Sequence, residues 1–268
     1  MRTIDIDDIA VRWEEYGTGA PVIFIHGIPT SPALWRHVIP LVEGARALAW
    51  EMPGYGESWR QRGDISVKSQ AGYLLSWMDR VGLERAVLVG HDLGGGVAQI
   101  AAARGPSRCA GLVLTNAISY DSWPIPSVIA MRATAPLVER MPTPIFKGVI
   151  GSFILRGHDD SAVGRRSLAL HWPNYDHAEG PEAFVRQIKS LRTRDTMEIA
   201  PRLRELAVPA EIVWGAADRF QKIEYGRRLA GDLRAPLDVI ESGKHFVPED
   251  HPDRLAAAIN RVLEHSPV

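Results

Sequence analysis

The chain has 268 residues and a mass of 29.6 kDa. That length fits one large domain, or a core with a modest insertion, and allows roughly three quarters of the unfolded surface to be buried without a disulfide or metal staple. Its 31 basic side chains balance 32 acidic ones for a formal net charge of −1, which argues against a nucleic-acid binder or a polybasic membrane-surface protein.

The single cysteine, Cys109, excludes an intramolecular disulfide and disfavours a thiolate zinc site. Met1 to Ala10 carries four charged side chains and no apolar run of signal-peptide type. No stretch approaches the ~20 apolar residues of a membrane span, so a soluble cytoplasmic protein is expected.

In chain order, Thr3–Ile6 and Val11–Tyr16 read as two strands joined at Asp7-Asp8. Val22–His26 (VIFIH), between Pro21 and Gly27, is a short continuous apolar run of the kind that suits a strand buried on both faces. Similar runs follow at Arg46–Trp50, Ala86–Val89 and Leu112–Thr115, and late in the chain at Glu211–Trp214 and Leu237–Ile240. Helical spacing marks Ser66–Val81, Gly95–Ala103, Ile223–Ala230 and Pro252–His265. Strands alternating with helices predict a mostly parallel, doubly wound α/β sheet. From Ser119 to Arg194 the alternation stops, and Pro, Trp, His and Arg accumulate among apolar residues. This reads as a helical cap (119–194) inserted into a core made of 1–118 and 195–268.

The sharpest chemical signal is Gly90-His91-Asp92-Leu93-Gly94-Gly95, set between a strand and a helix. It has the form of a nucleophile elbow, in which the central residue sits on a strained strand-to-helix turn and the helix N-terminus stabilises nearby negative charge. The central residue here is aspartate. The bland alternative is a glycine-rich turn that packs helix on strand. Trp214-Gly215-Ala216-Ala217-Asp218 then places an acid just past a late strand, and Gly243-Lys244-His245-Phe246 a histidine just past the last one. In an open α/β sheet such strand ends share the ligand-binding edge. Taken singly, Asp218 could be a helix cap and His245 a loop histidine. Their order and position together make Asp92, Asp218 and His245 the expected catalytic set. His26-Gly27-Ile28-Pro29 follows the first buried strand, so the backbone N–H groups of Ile28 and Leu93 are the expected oxyanion hole.

These motifs resemble the branch of the α/β hydrolases that uses an aspartate nucleophile, which holds the epoxide hydrolases and the haloalkane and haloacetate dehalogenases. His26–Pro40 (HGIPTSPALWRHVIP), Met52–Ser58 (MPGYGES) and GHDLGG carry the resemblance, and it spans nearly the whole chain. It implies a cofactor-free, metal-free hydrolase acting with water on a small apolar electrophile through an alkyl-enzyme ester. Haloalkane dehalogenases usually place Trp after the nucleophile and often Asn in the HG-x-P loop. Leu93 and Ile28 stand at those positions. Haloacetate dehalogenases typically have Arg where Leu93 is. Epoxide hydrolases need cap tyrosines as acids. Epoxide opening is therefore the expected reaction, with Tyr175 first and Tyr120 second as proton donor. Dehalogenation, with Trp172 or Trp123 as relocated halide donors, is the alternative, and a non-catalytic small-molecule receptor is the reading from another class. His158-Asp159-Asp160 reads as a solvated loop, and Glu51 as structural.

Overall fold

The structure, a computed structural model, describes residues 1–266. Strands β1 (Arg2–Ile6) and β2 (Ile9–Tyr16) form a hairpin. Its two-residue turn puts Asp7 and Asp8 at φ 47° and 66°, the left-handed conformation that a twisted hairpin demands and that aspartate tolerates. The remaining strands are β3 (Ala20–Ile25), β4 (Ala45–Glu51), β5 (Ala86–His91), β6 (Cys109–Thr115), β7 (Ala210–Gly215) and β8 (Leu237–Ile240). They join one eight-stranded sheet of order β1-β2-β4-β3-β5-β6-β7-β8. The β1–β2 and β2–β4 pairs are antiparallel and the rest parallel. Every residue of β5 and β6 is buried, which is why those segments read as unbroken apolar runs rather than alternating ones. Strand β6 begins at Cys109, three residues before the predicted run, because Cys109 and Gly111 pair with β5 without the β-branched side chains that advertise a strand.

Helix α1 (Val67–Arg80) packs on α2 (Leu93–Arg104), which lies on β3, β5 and β6. Between β6 and β7 come α3 (Pro126–Ala133), α4 (Ala135–Glu139), α5 (Thr143–Gly157), α6 (Ser161–His171), α7 (Gly180–Lys189), α8 (Arg194–Met197) and α9 (Ala200–Leu203). Helix α10 (Ile223–Leu233) follows β7. The short α11 (Val247–Asp250) leads into α12 (Pro252–His265), which packs on β6 and β7. Among the described residues no helix is long and apolar enough to cross a membrane.

From β3 the chain moves outward to β4, then crosses back to β5 on the other side of β3. The carboxyl ends of β3 and β5, adjacent in the sheet, are thus a topological switch point, where open α/β sheets form their ligand crevices.

Candidate active site

Asp92 follows β5 directly, at φ 50° and ψ −120°, and opens helix α2. A non-glycine residue held at positive φ costs on the order of 1–3 kcal/mol and persists only where its surroundings fix it. Here the Asp92 carbonyl accepts from the N–H groups of Gly95 (3.0 Å) and Ile118 (3.1 Å). The side chain is 6% exposed, and its Oδ2 accepts a hydrogen bond from the backbone N–H of Ile28 at 3.0 Å. A Cβ on Gly27 would fall 2.5 Å from Asp92 Oδ2, so only glycine lets the end of β3 come this close. Burial raises the Asp92 carboxyl above its ordinary range, opposed by His245 and by the N–H groups of Ile28 and Leu93.

His245, on the loop after β8, contributes a buried imidazole. Its Nδ1–H donates to Asp218 Oδ2 at 2.8 Å, so Nε2 is the ring nitrogen left for other work. Burial pulls the His245 pKa down, but the carboxylates of Asp218 and Asp92 outweigh it and the net shift is upward. Asp218 is itself held: Asn116 Nδ2 donates to Oδ2 (2.6 Å) and the Phe220 N–H donates to Oδ1 (2.7 Å). The His245 carbonyl accepts from Nε2–H of buried His91 at 3.0 Å.

Asp92, Leu93, Ile28, His245 and Trp123 line one cavity with a free volume of about 70 Å³, closed by apolar side chains such as Val128, Phe153, Phe184 and Ile188 from the helices between β6 and β7. Asp218 stands behind His245, outside it. The Ile28–Pro29 peptide is cis.

The tyrosines expected as acids lie elsewhere. Among the described residues no tyrosine lines the cavity. The Tyr175 hydroxyl donates to Gln187 Oε1 (2.8 Å), and the Tyr120 hydroxyl to Asp232 Oδ2 (2.7 Å) beneath the Arg228 guanidinium. Burial pushes both phenols above the ordinary tyrosine range. The tryptophans need the same correction as halide donors. Trp172 packs on Phe146, away from the cavity. Trp123 lines it, but its Nε1–H is given to Thr196 Oγ1 at 2.8 Å. These four side chains sit in the loops and the 3₁₀ turn (Trp172–Asn174) that flank the helices, where sequence spacing does not say which way a side chain faces.

His158 is not in a solvated loop. It is buried, with Nδ1 2.9 Å from Asp250 Oδ1 and Nε2 in ion-pair contact, rather than an aligned hydrogen bond, with Glu249 Oε2 at 3.1 Å. Asp159 and Asp160 are exposed. Glu51 is structural as expected, accepting from the backbone N–H groups of Glu57 and Ser58. His26 is also a scaffold residue: Nδ1–H donates to the Gly27 carbonyl and Nε2 accepts from the Met52 N–H, while burial pulls its pKa down to about 4. Two residues passed unnoticed in the sequence. Asn116, just past β6, had the same strand-end signal as Asp92. Gln221, 2% exposed in the cavity wall, had none.

A buried acid at a strand-to-helix elbow thus has a His–Asp pair beside it at the sheet's carboxyl edge. Residues 20–143 match the α/β hydrolase fold family. The chain is 28% identical to haloalkane dehalogenase 2 of Mycobacterium tuberculosis, over 93% of this chain and 90% of that protein. A solved α/β hydrolase fold protein from Burkholderia ambifaria superposes with a TM-score of 0.89 at 24% identity, covering 96% of both chains. Epoxide hydrolase CorEH superposes with a TM-score of 0.78 at 19% identity, covering 98% of both. The protein has the α/β-hydrolase fold. It is a hydrolase of that fold, with a haloalkane dehalogenase relative and an epoxide hydrolase among its structural neighbours, and not the non-catalytic receptor.

Proposed function

We propose that the enzyme hydrolyses carbon–halogen bonds in small apolar molecules by two displacements at Asp92, beneath a cap formed by the helices of 119–194. The observation that carries the reading is the shared cavity: a carboxylate with one oxygen tethered, a histidine with one free nitrogen, and apolar walls. Asp92 Oδ2 is occupied by the Ile28 N–H, which leaves Oδ1 to attack carbon. An ionised carboxylate needs no proton removed before it does so. The C–O bond forms as the carbon–halogen bond breaks, and halide leaves with the bonding electrons. Water then attacks Cγ of the ester as His245 Nε2 takes its proton. Negative charge collects on Oδ2, where the N–H groups of Ile28 and Leu93 stabilise it. Collapse expels the alcohol with the former Oδ1, and the imidazolium returns the proton.

The same attack would open an epoxide, but the alkoxide then needs an acid, and the hydroxyls of Tyr175 and Tyr120 are engaged away from the cavity. Halide needs no proton. Among the described residues no Lys or Arg lines the cavity, so a haloacid carboxylate would be buried without a counter-charge, at high cost. A neutral haloalkane fits best.

Single turnover of a short bromoalkane in heavy-oxygen water tests the reading. Label is expected in the peptide containing Asp92, and His245→Gln is expected to accumulate the alkylated protein, visible as a mass increase. Label confined to the product would refute the two-step route. Diol from terminal epoxides, with no bromide from any bromoalkane, would reverse the choice of leaving group.

A further inference from the structure

Four of the side chains that line the cavity carry nitrogen or oxygen: Asp92, His245, Trp123 and Gln221. Halide departing into apolar walls is a buried charge that must meet hydrogen-bond donors. The indole N–H of Trp123 is already spent on Thr196, and His245 Nδ1–H on Asp218. Gln221 differs from the others. Its side chain makes no hydrogen bond among the described residues, and its Oε1 is buried without a partner. The backbone around it is fixed, because the Gln221 carbonyl accepts from Trp214 Nε1–H at 3.0 Å and the preceding N–H, that of Phe220, is bound to Asp218. The N–H2 of the same carboxamide, which has no acceptor among the described residues, is the part a halide can use, since an anion accepts a hydrogen bond from a donor and gains none from the acceptor Oε1.

We infer that the Gln221 carboxamide is the leaving-group donor of this enzyme, its N–H2 meeting halide as the Asp92 ester forms. The inference rests on the displacement reading and adds to it the residue that selects the leaving group. Amide N–H groups can solvate a halide but cannot protonate an alkoxide, so a cavity whose one uncommitted side-chain donor among the described residues is an amide suits carbon–halogen cleavage. In the first step the halide keeps the electron pair of the broken bond and accepts a hydrogen bond from Gln221, and no proton moves.

The test uses His245→Gln as background, so that halide release reports the first step alone. Adding Gln221→Met, which keeps length and volume but removes the donors, should slow the chloride burst from a chloroalkane roughly 10- to 100-fold, the range for a hydrogen bond to a charged group. The iodide burst, with its more diffuse charge, should slow less. Gln221→Glu, which replaces donor by acceptor at unchanged shape, should slow the chloride burst at least as much. Calorimetric titration of the otherwise unaltered enzyme with bromide should show binding that weakens in Gln221→Met. Bursts and bromide affinity unchanged in both Gln221 variants would overturn the inference while leaving Asp92 alkylation standing. So would alkylated enzyme accumulating in Gln221→Met alone with a normal burst, which would put Gln221 on the hydrolytic water. Neither adduct nor halide from the His245→Gln enzyme would overturn the displacement reading and this inference together.

Discussion

Two opposed influences set the protonation of His245. Burial favours the neutral ring, while the carboxylates of Asp218 and Asp92 favour the cation, and the carboxylates prevail. In the proposed second step the ring must be neutral to accept a proton from water. In the adduct Asp92 is a neutral ester, so its share of the upward shift is lost and Asp218 alone opposes burial. Ester hydrolysis should therefore rise with pH as the ring loses its proton, through a midpoint below that of His245 in the free enzyme, and lose its rate below it. Replacing Asp218 by Asn removes the nearer carboxylate and its grip on Nδ1–H. We expect a rate loss on the order of 10²- to 10⁴-fold, in line with wrong-tautomer variants of other triads, and a limb displaced toward lower pH. Pre-steady-state pH profiles of adduct decay would show both. A limb that stays in place in Asp218→Asn would mean that Asp218 does not control the His245 charge.

Helix α2 is the element on which the site depends, since it carries Asp92 at its start and is buried from Leu93 to Ala103. It can lie this close to β3 because residue 94 has no side chain. A Cβ there would sit 2.0 Å from the Ile25 carbonyl oxygen and 2.5 Å from that of His26. Backbone atoms cannot rotate out of the way, so Gly94→Ala must push the helix off the strand. We expect a loss of about 2–3 kcal/mol of stability, the usual cost of overpacking, together with reduced alkylation of Asp92 because the Leu93 and Ile28 N–H groups separate. Urea denaturation and adduct mass would measure the two effects, and stability equal to wild type would refute the packing argument. This element also shows what could be read in advance. GHDLGG announces strand, turn and close helix in consecutive residues, and Asp92, Asp218 and His245 all follow apolar runs, so their approach at one sheet edge was legible. What decides Tyr175, Tyr120, Trp172 and Trp123 is the path of the loops and of the 3₁₀ turn Trp172–Asn174 that carry them, together with partners more than ten residues away, such as Gln187, Asp232 and Thr196. Gln221 was hidden for a related reason. It lies among Arg219, Phe220 and Lys222, where nothing local separates a cavity-facing amide from a solvated one.

At the scale of the whole molecule, the helices between β6 and β7 are tied to the loop that bears His245 by a buried ionic cluster. The Gly157 carbonyl at the end of α5 accepts from the N–H groups of His245 (2.9 Å) and Phe246 (3.1 Å). Next to it the His158 ring stacks on Phe246 and contacts Glu249 and Asp250 of α11, and Glu249 also meets Arg36 and His171. Burial lowers the His158 pKa, but Asp250 and Glu249 outweigh it and bring the ring to about 8. A histidine whose folded pKa exceeds its unfolded value binds its proton more tightly when folded. Its stabilisation is therefore complete below about 6.5 and is lost as pH climbs through about 8. The full span corresponds to about 2 kcal/mol, at 1.36 kcal/mol per pKa unit. Unfolding free energy from urea titrations should thus fall by up to about that amount between pH 6 and pH 9. His158→Gln should be less stable than wild type at pH 6 and should show a flatter profile, since Gln cannot gain the charge that Glu249 and Asp250 stabilise. The His245 loop is anchored on the neighbouring Gly157 carbonyl, so hydrogen exchange at the His245 and Phe246 amides should quicken over the same pH interval, beyond its intrinsic pH dependence, in wild type and not in His158→Gln. If both proteins lose stability with pH in parallel, the cluster carries no net charge-dependent energy, and the coupling between the inserted helices and the His245 loop rests on packing and backbone hydrogen bonds alone.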